Sequence, residues 1–324
     1  MNIVILIAGI ALLIAGAEIF VDSSVNIAKK LKIPTVVIAL TIIGIGTSAP
    51  ETIISVTASL QGSGDLSMSN ITGANYFNLL FIIGLCALIR PIDVKMKEMG
   101  AESWLMVSST VIFFLIMLVT PIFIGDRIPR IVGVVMVLTF IVYLTLLIRH
   151  ALRGNRSHEH ITHRTSVEIP HEKTKPLWFA IAGVAVGLGI ILWGGDLTVS
   201  RAEMIAEQFN IPSRVIGLTI IGAGTSLPEL IITLIACKKR EAGMALGAIV
   251  GANIYNFLFI LGIAGTIDPL LTTRSQLIDF GTLTAANILF LIFILTRKRI
   301  SRMEGAVMLA LYFGYMAYII FFKY

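Results

Sequence analysis

Two short segments share a pattern of hydroxyl and carboxylate side chains that is suited to binding a metal cation. Residues 41–51 read TIIGIGTSAPE and residues 219–229 read TIIGAGTSLPE, so nine of eleven positions are identical. Their oxygen-bearing candidates are Thr47, Ser48, Glu51, Thr225, Ser226 and Glu229. Carboxylate and other oxygen ligands are those that hard cations such as Ca²⁺ prefer. The two motifs are therefore candidate halves of one cation site.

A second pair of segments adds side-chain amides. Residues 73–84 read GANYFNLLFIIG and residues 251–262 read GANIYNFLFILG, and both pairs of segments are offset by 178 residues. Asn78 and Asn256 lie one helical turn beyond Asn75 and Asn253, on about the same helix face. Hydrogen bonding between helices is the alternative role for such residues in membrane bundles. We assign Asn78 and Asn256 to the candidate site, with Asn75 and Asn253 as possible secondary ligands.

All the candidate ligands are oxygen donors, because backbone carbonyls near Gly44 and Gly222 complete the set where the helix is interrupted. Ca²⁺ takes about six to eight oxygen ligands, whereas many transition metals prefer nitrogen or sulfur. Mg²⁺ fits less well because it demands octahedral geometry and retains its water. The two glutamates carry a charge that one Ca²⁺ or two Na⁺ would neutralise. That equivalence suits an exchange of one load for the other.

The elements that position these residues are membrane-spanning helices. The chain has 324 residues, of which 56% are hydrophobic and only 14% charged, against about 25% charged in a typical soluble domain. Its apolar residues fall in blocks about as long as one helix needs to cross a bilayer. The ten predicted spans are 2–21, 36–59, 68–89, 103–124, 129–148, 177–198, 214–236, 244–266, 278–296 and 305–322. The predicted fold class is all-α integral membrane.

The repeat predicts how these spans are arranged. Residues 1–149 form a first repeat of five spans, residues 150–176 a cytoplasmic loop, and residues 177–324 a second repeat of five spans. Because five is odd, the second repeat lies inverted relative to the first. Secondary transporters commonly use inverted repeats and bind their substrate at the repeat interface near the bilayer midplane. Glu51 and Glu229 then lie deep in the membrane, where acidic residues are functional candidates by default.

Each acidic motif also predicts a helix start inside its span. Ser48 precedes Glu51 by three residues, with Pro50 in the first turn, as in a capping box. Ser226 and Glu229 repeat the pattern. The alternative, that the two glutamates are only helix caps, is less consistent with two copies at membrane depth.

The basic residues predict the orientation. Nineteen of the 25 Lys and Arg residues follow the odd-numbered spans. Cytoplasmic loops concentrate these residues, so both termini are expected outside the cell membrane (plasma or inner) and the basic loops inside. The net charge of +6 is therefore a topology signal, and no nucleic-acid partner is predicted.

The motifs GTSAPE and GTSLPE resemble the paired alpha-repeat signatures of the cation/calcium exchanger superfamily, and within it the sodium/calcium exchanger branch of prokaryotic type. The resemblance implies Ca²⁺/Na⁺ antiport by alternating access, in which the first and sixth spans slide against the rest. It implies that Glu51 and Glu229 bind both ions, helped by Thr47, Ser48, Thr225, Ser226 and Asn78.

The chain departs from the family pattern at three positions. Some members have Asp where this chain has Asn256, and Ser where it has Ala74 and Ala252. These departures keep a Ca²⁺/H⁺ antiporter open as the alternative. The proton-coupled branch usually has Asn in place of Thr47 and Thr225, so sodium is favoured.

Other classes fit less well. A cation channel would need a continuous pore, usually built from several subunits, whereas function per monomer is expected here. An intramembrane enzyme is not predicted, because all five histidines lie at positions 150–171, in the predicted central loop, and no nucleophile–base pair lies in a span. No cofactor is predicted, and the transported ions are the expected small-molecule partners.

Overall fold

A computed structural model describes residues 2–31, 35–62, 64–158, 176–208 and 222–322, and these residues are almost entirely helical. Seven described helices are long and apolar enough to cross a membrane, and a bent helix pair raises the number to eight. Large apolar side chains are exposed along the outer helices, as at Ile112 and Val142, which are 58% and 57% exposed. Lipid-facing surface explains this exposure, and the predicted all-α membrane class is confirmed.

The helices follow the order of the predicted spans. In the first half they are α1 (Asn2–Leu31), α2 (Thr35–Ile38), α3 (Gly44–Thr47), α4 (Ala49–Leu60), α5 (Gly64–Tyr76), α6 (Ile83–Ile89), α7 (Met96–Phe123) and α8 (Arg130–His158). In the second half they are α9 (Leu177–Gln208), α10 (Gly222–Thr225), α11 (Leu227–Lys238), α12 (Ala242–Ile254), α13 (Leu261–Ile267), α14 (Arg274–Arg297) and α15 (Arg302–Phe322). Three described π-helical stretches are π1 (Ala39–Ile43), π2 (Phe77–Ile82) and π3 (Tyr255–Ile260).

The sequence offset of 178 residues recurs in the helix boundaries. The run α5–π2–α6 has the same element lengths as the run α12–π3–α13, and each boundary is shifted by 178. The short helices α3 and α4 correspond in the same way to α10 and α11. Because π-helical stretches are rare and frequent at functional sites, their recurrence links the repeat to function.

The second predicted span is broken in the middle. Residues 39–47 and 49–60 form two helical arms that meet at Ser48 with a bend of 55°. The seventh span shows the same short arm and second helix, α10 and α11, but the first part of that span, residues 214–221, lies outside the described residues. Breaks of this kind are tolerated in a membrane only where the backbone is buried in protein or lines a polar cavity.

Short backbone links between loops repeat the same symmetry. Strand β1 (Ile92–Asp93) pairs antiparallel with β2 (Arg299–Ile300), and the amide of Val94 donates to Lys298 at 2.8 Å. The amide of Thr272 donates to Asp126, also at 2.8 Å. Each link joins the loop after the third or eighth span to a loop in the other half. These reciprocal links favour the inverted arrangement and the count of ten spans, which stay predictions.

The third and eighth spans form the centre of the bundle. Within their apolar windows, 78% and 89% of residues are buried, compared with 28% in α1 and 17% in α8. The asparagine motifs lie in these two central spans, at the ends of α5 and α12 and the starts of π2 and π3. The fold therefore places the amide candidates deep inside protein.

Helices α1 and α9 pack closely on each other at the periphery. A Cβ atom on Gly16 would lie 3.0 Å from the carbonyl oxygen of Gly187, and one on Gly194 would lie 2.9 Å from that of Gly9. Gly9 and Gly187, like Gly16 and Gly194, are separated by 178 residues. The two spans thus cross through matching glycine contacts, and small residues allow such close approach.

The loop between the halves begins later than predicted. Helix α8 continues to His158, so residues 150–158 of the predicted loop are helical. Three of the five histidines, at positions 160, 163 and 171, lie outside the described residues.

Candidate cation site

The two motif glutamates converge between the halves of the protein. Ser48 donates a hydrogen bond to Oε1 of Glu229 at 3.3 Å, and Ser226 donates to Oε1 of Glu51 at 3.2 Å. Glu51 is 0% exposed and Glu229 is 1% exposed. Each serine therefore contacts the carboxylate of the opposite repeat, and the predicted convergence is confirmed.

The capping-box prediction is half right. Ser48 and Ser226 occupy the N-cap positions of α4 and α11, and both helices begin where the motif predicts. Neither serine makes a side-chain capping bond, because each hydroxyl donates to the glutamate of the other repeat. A capping serine accepts from its own helix, so the observed donation serves the carboxylate and leaves the serine lone pairs available.

The threonines and glycines of the motif line the break. Thr47 is 1% exposed and Thr225 is 9% exposed, and the Thr47 hydroxyl donates to the carbonyl of Ile43 at 3.0 Å. Because its only proton is used on the backbone, its remaining oxygen lone pairs can serve a cation. Gly44 and Gly222 begin the one-turn helices α3 and α10. Ligation by carbonyls near these glycines stays a prediction.

The four asparagines form a reciprocal lattice across the repeat interface. Asn78 donates its amide to Oδ1 of Asn253 at 3.1 Å, and Asn256 donates to Oδ1 of Asn75 at 3.2 Å. Asn75 and Asn253 donate in turn to each other's backbone carbonyls, at 3.3 and 3.4 Å. The structure thus brings all four together and gives the two pairs different tasks.

The lattice orients Asn78 and Asn256. Each of them uses its NH₂ group on the opposite repeat, so its side-chain oxygen is left over. Asn75 and Asn253 use both their oxygen and their NH₂ group within the lattice. This division fits a supporting role for Asn75 and Asn253.

Four buried acceptor atoms in this region receive no hydrogen bond from the part of the chain that the structure describes. They are Oε2 of Glu51, Oε2 of Glu229, Oδ1 of Asn78 and Oδ1 of Asn256. A buried polar atom left without a partner costs about 1–3 kcal/mol, and more if it is charged. All four lack a donor and none is itself a donor. The chemistry that satisfies such a set is a bound cation with oxygen ligands.

Glycines let the backbone of the second span approach the eighth. A Cβ atom on Gly251 would lie 2.6 Å from both Cα and O of Leu40, and one on Gly44 would lie 2.7 Å from the amide nitrogen of Ala252. Gly73 occupies the position equivalent to Gly251, but the residue that corresponds to Leu40, Leu218, lies outside the described residues. The glycine contact brings the hydroxyl motif within reach of the amide motif.

One neighbour of the site was not anticipated from the sequence. Thr52 donates to the carbonyl of Ser48 at 2.8 Å, and its hydroxyl lies 3.4 Å from that of Tyr255. This contact supports the break in the second span from the side of π3. Its counterpart in the seventh span is Leu230, so the repeat offered no signal for it.

Comparisons with known proteins agree with this geometry. A family profile described as "Sodium/calcium exchanger protein" matches residues 1–149 and 179–321. The chain is 34% identical to "Putative antiporter CaxA" of Alkalimonas amylolytica, with 98% of each chain covered. It is 30% identical to "Sodium/calcium exchanger MaX1" of Methanosarcina acetivorans, with 97% of each covered.

Solved structures give the same result. The sodium-calcium exchanger NCX_Mj, soaked with zero Na⁺ and Ca²⁺, matches with a TM-score of 0.78 and 28% identity, and 98% of each chain is covered. The match extends over both halves of the chain, including both acidic motifs. The chain belongs to the sodium/calcium exchanger protein family.

Proposed function

We propose that this protein exchanges Ca²⁺ for Na⁺ across the membrane through one site between its two repeats. The observation that carries the proposal is the set of four unpartnered acceptors on Glu51, Glu229, Asn78 and Asn256. Two of these atoms belong to carboxylates, so the site is negative and lined only by oxygen. Such a site selects hard cations, and its ligands come equally from both repeats.

The ligands play distinct parts in this proposal. The two glutamates supply the charge, and each is held in place by a serine of the other repeat. Asn78 and Asn256 supply neutral oxygens. Thr47, Ser48, Thr225 and Ser226 supply hydroxyl lone pairs, and carbonyls near Gly44 and Gly222 complete the shell. Either ion thus exchanges its hydration water for fixed oxygens, which a negative, rigid site makes favourable.

Alternating access needs one unit that moves against another. Helices α1 and α9 pack on each other through their glycines, and most of their residues are exposed, whereas the third and eighth spans are buried. We propose that the α1–α9 pair is the mobile unit and that the central spans stay fixed. The site then faces one side of the membrane at a time, which distinguishes an exchanger from a channel.

The orientation follows from charges at equivalent loop positions. Asp268, which accepts from the Gly64 amide at 3.1 Å, corresponds by the repeat offset to Arg90. The same structural position is thus acidic in one half and basic in the other. Inverted repeats place these two positions on opposite faces, and the positive-inside rule puts Arg90 in the cytoplasm. We propose a cell-membrane protein with both termini outside, acting as a monomer without a cofactor.

The proposal is tested by calcium uptake into proteoliposomes loaded with sodium. An outward sodium gradient is expected to drive uptake, and choline in place of sodium is expected to abolish it. Uptake driven only by a pH gradient would favour the proton-coupled alternative. Uptake that needs no counter-ion would indicate a channel and contradict the proposal.

The lattice makes a separate prediction for Asn75. Replacing Asn75 by Ala removes the acceptor of the Asn256 amide, so Asn256 is free to rotate its oxygen away from the site. We expect the calcium concentration for half-maximal uptake to rise about tenfold, since one hydrogen bond to a ligand is worth about 1–1.5 kcal/mol. The maximal rate should change less, because no ligand is lost. A loss of protein from the membrane, with unchanged calcium dependence, would instead indicate a merely structural role.

A further inference from the structure

The charge of the site limits how many ions it can carry. Among the described residues, the acidic side chains exposed by 1% or less are Glu51 and Glu229. Two other acids are mostly buried, but they lie on helices that supply no site residue: Glu102 on α7, and Asp279 on α14, where it accepts from Tyr315 at 3.1 Å. The four asparagines and four hydroxyls of the site are neutral. The protein therefore offers two negative charges to its load.

An unbalanced charge is costly at this depth. Moving an ion from water into a low-dielectric interior is unfavourable unless an opposite charge accompanies it. One Ca²⁺ or two Na⁺ balance two carboxylates, whereas a third Na⁺ would leave a net positive charge in the buried site. The neutral Asn256 and Asn78 provide oxygen for an ion but no countercharge.

The symmetry of the site also points to an even number of sodium ions. Each repeat supplies one carboxylate oxygen and one amide oxygen without a partner, together with a serine and a threonine hydroxyl. Two equal sets of ligands suit two equivalent monovalent ions, or one divalent ion shared between them. The two alanines at positions 74 and 252 add no further oxygen to either set.

We infer that the transporter exchanges two Na⁺ for one Ca²⁺ and that the cycle moves no net charge. The inference rests on the proposed function and adds its stoichiometry. It follows that the membrane potential neither drives nor opposes transport. At equilibrium the calcium ratio across the membrane should equal the square of the sodium ratio.

The test measures the calcium ratio at which net flux is zero, in proteoliposomes whose potential is clamped with valinomycin and potassium gradients. We expect the ratio to follow the square of the sodium ratio and to stay constant as the potential is changed. Movement of one net charge would instead shift the ratio about tenfold for each ~60 mV. A cubic dependence, or a ratio that follows the potential, would overturn the inference and leave sodium-driven exchange intact. If sodium drives no flux, the proposed function itself is wrong.

A charge-adding variant makes the test sharper. Asn256→Asp places a third carboxylate among the same ligands, and we expect it to make the zero-flux ratio sensitive to potential. Asn78→Asp, its symmetry partner, is a second variant if the first does not fold. Asn70→Asp is the matched control, because Asn70 lies on α5 outside the site and donates to Ser55 at 3.0 Å. Electroneutral exchange in both site variants would show that carboxylate number does not set the stoichiometry and would overturn the inference.

Discussion

Replacement of Glu51 by Gln is expected to abolish sodium-driven calcium uptake while leaving the protein folded. The substitution keeps the size of the side chain and an oxygen for Ser226 to donate to, but it removes one of the two charges that balance the ion. Breaking one partner of a buried charge pair costs about 3–5 kcal/mol, so we expect calcium affinity to fall at least about a hundredfold. The measurement is calcium uptake into proteoliposomes with an outward sodium gradient.

The repeat supplies an internal replicate and the fold supplies a control. Glu229→Gln should cause the same loss, because Glu229 has the equivalent contact with Ser48. Glu102→Gln is the matched control, since Glu102 is 8% exposed in α7 and contributes nothing to the site. That variant should retain most of the uptake. Normal uptake by Glu51→Gln at low calcium would mean that the ion does not bind at this carboxylate.

Replacement of Gly251 by Ala is expected to destabilise the protein and impair transport together. The new Cβ atom would lie 2.6 Å from backbone atoms of Leu40, a distance that requires one of the two spans to shift. Overpacking of this kind typically costs about 1–3 kcal/mol. The shift would also separate the hydroxyl motif from the asparagine lattice. Thermal unfolding followed by size-exclusion chromatography, together with calcium uptake, measures both effects.

Gly314 provides the control for this substitution. A Cβ atom on Gly314, in α15, would meet no described atom within 4 Å. Gly314→Ala should therefore leave the unfolding temperature and the uptake near those of the wild type. Equal behaviour of the two variants would show that the close contact between Gly251 and Leu40 is not required.

Much of the fold follows from the sequence because the repeat constrains it. Two motif pairs with one offset fixed which positions are equivalent, and the odd number of spans in each half then required inversion. The polar residues inside apolar blocks marked the breaks, and the helix starts after Ser48 and Ser226 lie where the Pro and Glu of each motif place them. These signals are local, or they depend only on comparing the chain with itself.

The contacts across the interface could not be deduced in the same way. The capping box is a local pattern, and it assigned Ser48 to its own helix. The observed partner of Ser48 is Glu229, 181 residues away, and this contact exists only because the two breaks meet in space. The different tasks of Asn75 and Asn78 also depend on which donor faces which acceptor across two helices. Sequence spacing places such residues on one face but does not give their partners.

The most direct test of the shared site is equilibrium binding of radioactive calcium to the purified protein, with sodium as competitor. The account predicts one Ca²⁺ per chain, displaced by sodium with a dependence on the square of its concentration, and no measurable binding in Glu51→Gln or Glu229→Gln. Calcium binding that persists in both variants, or that sodium does not displace, would contradict the claim that the two glutamates form one site for both ions.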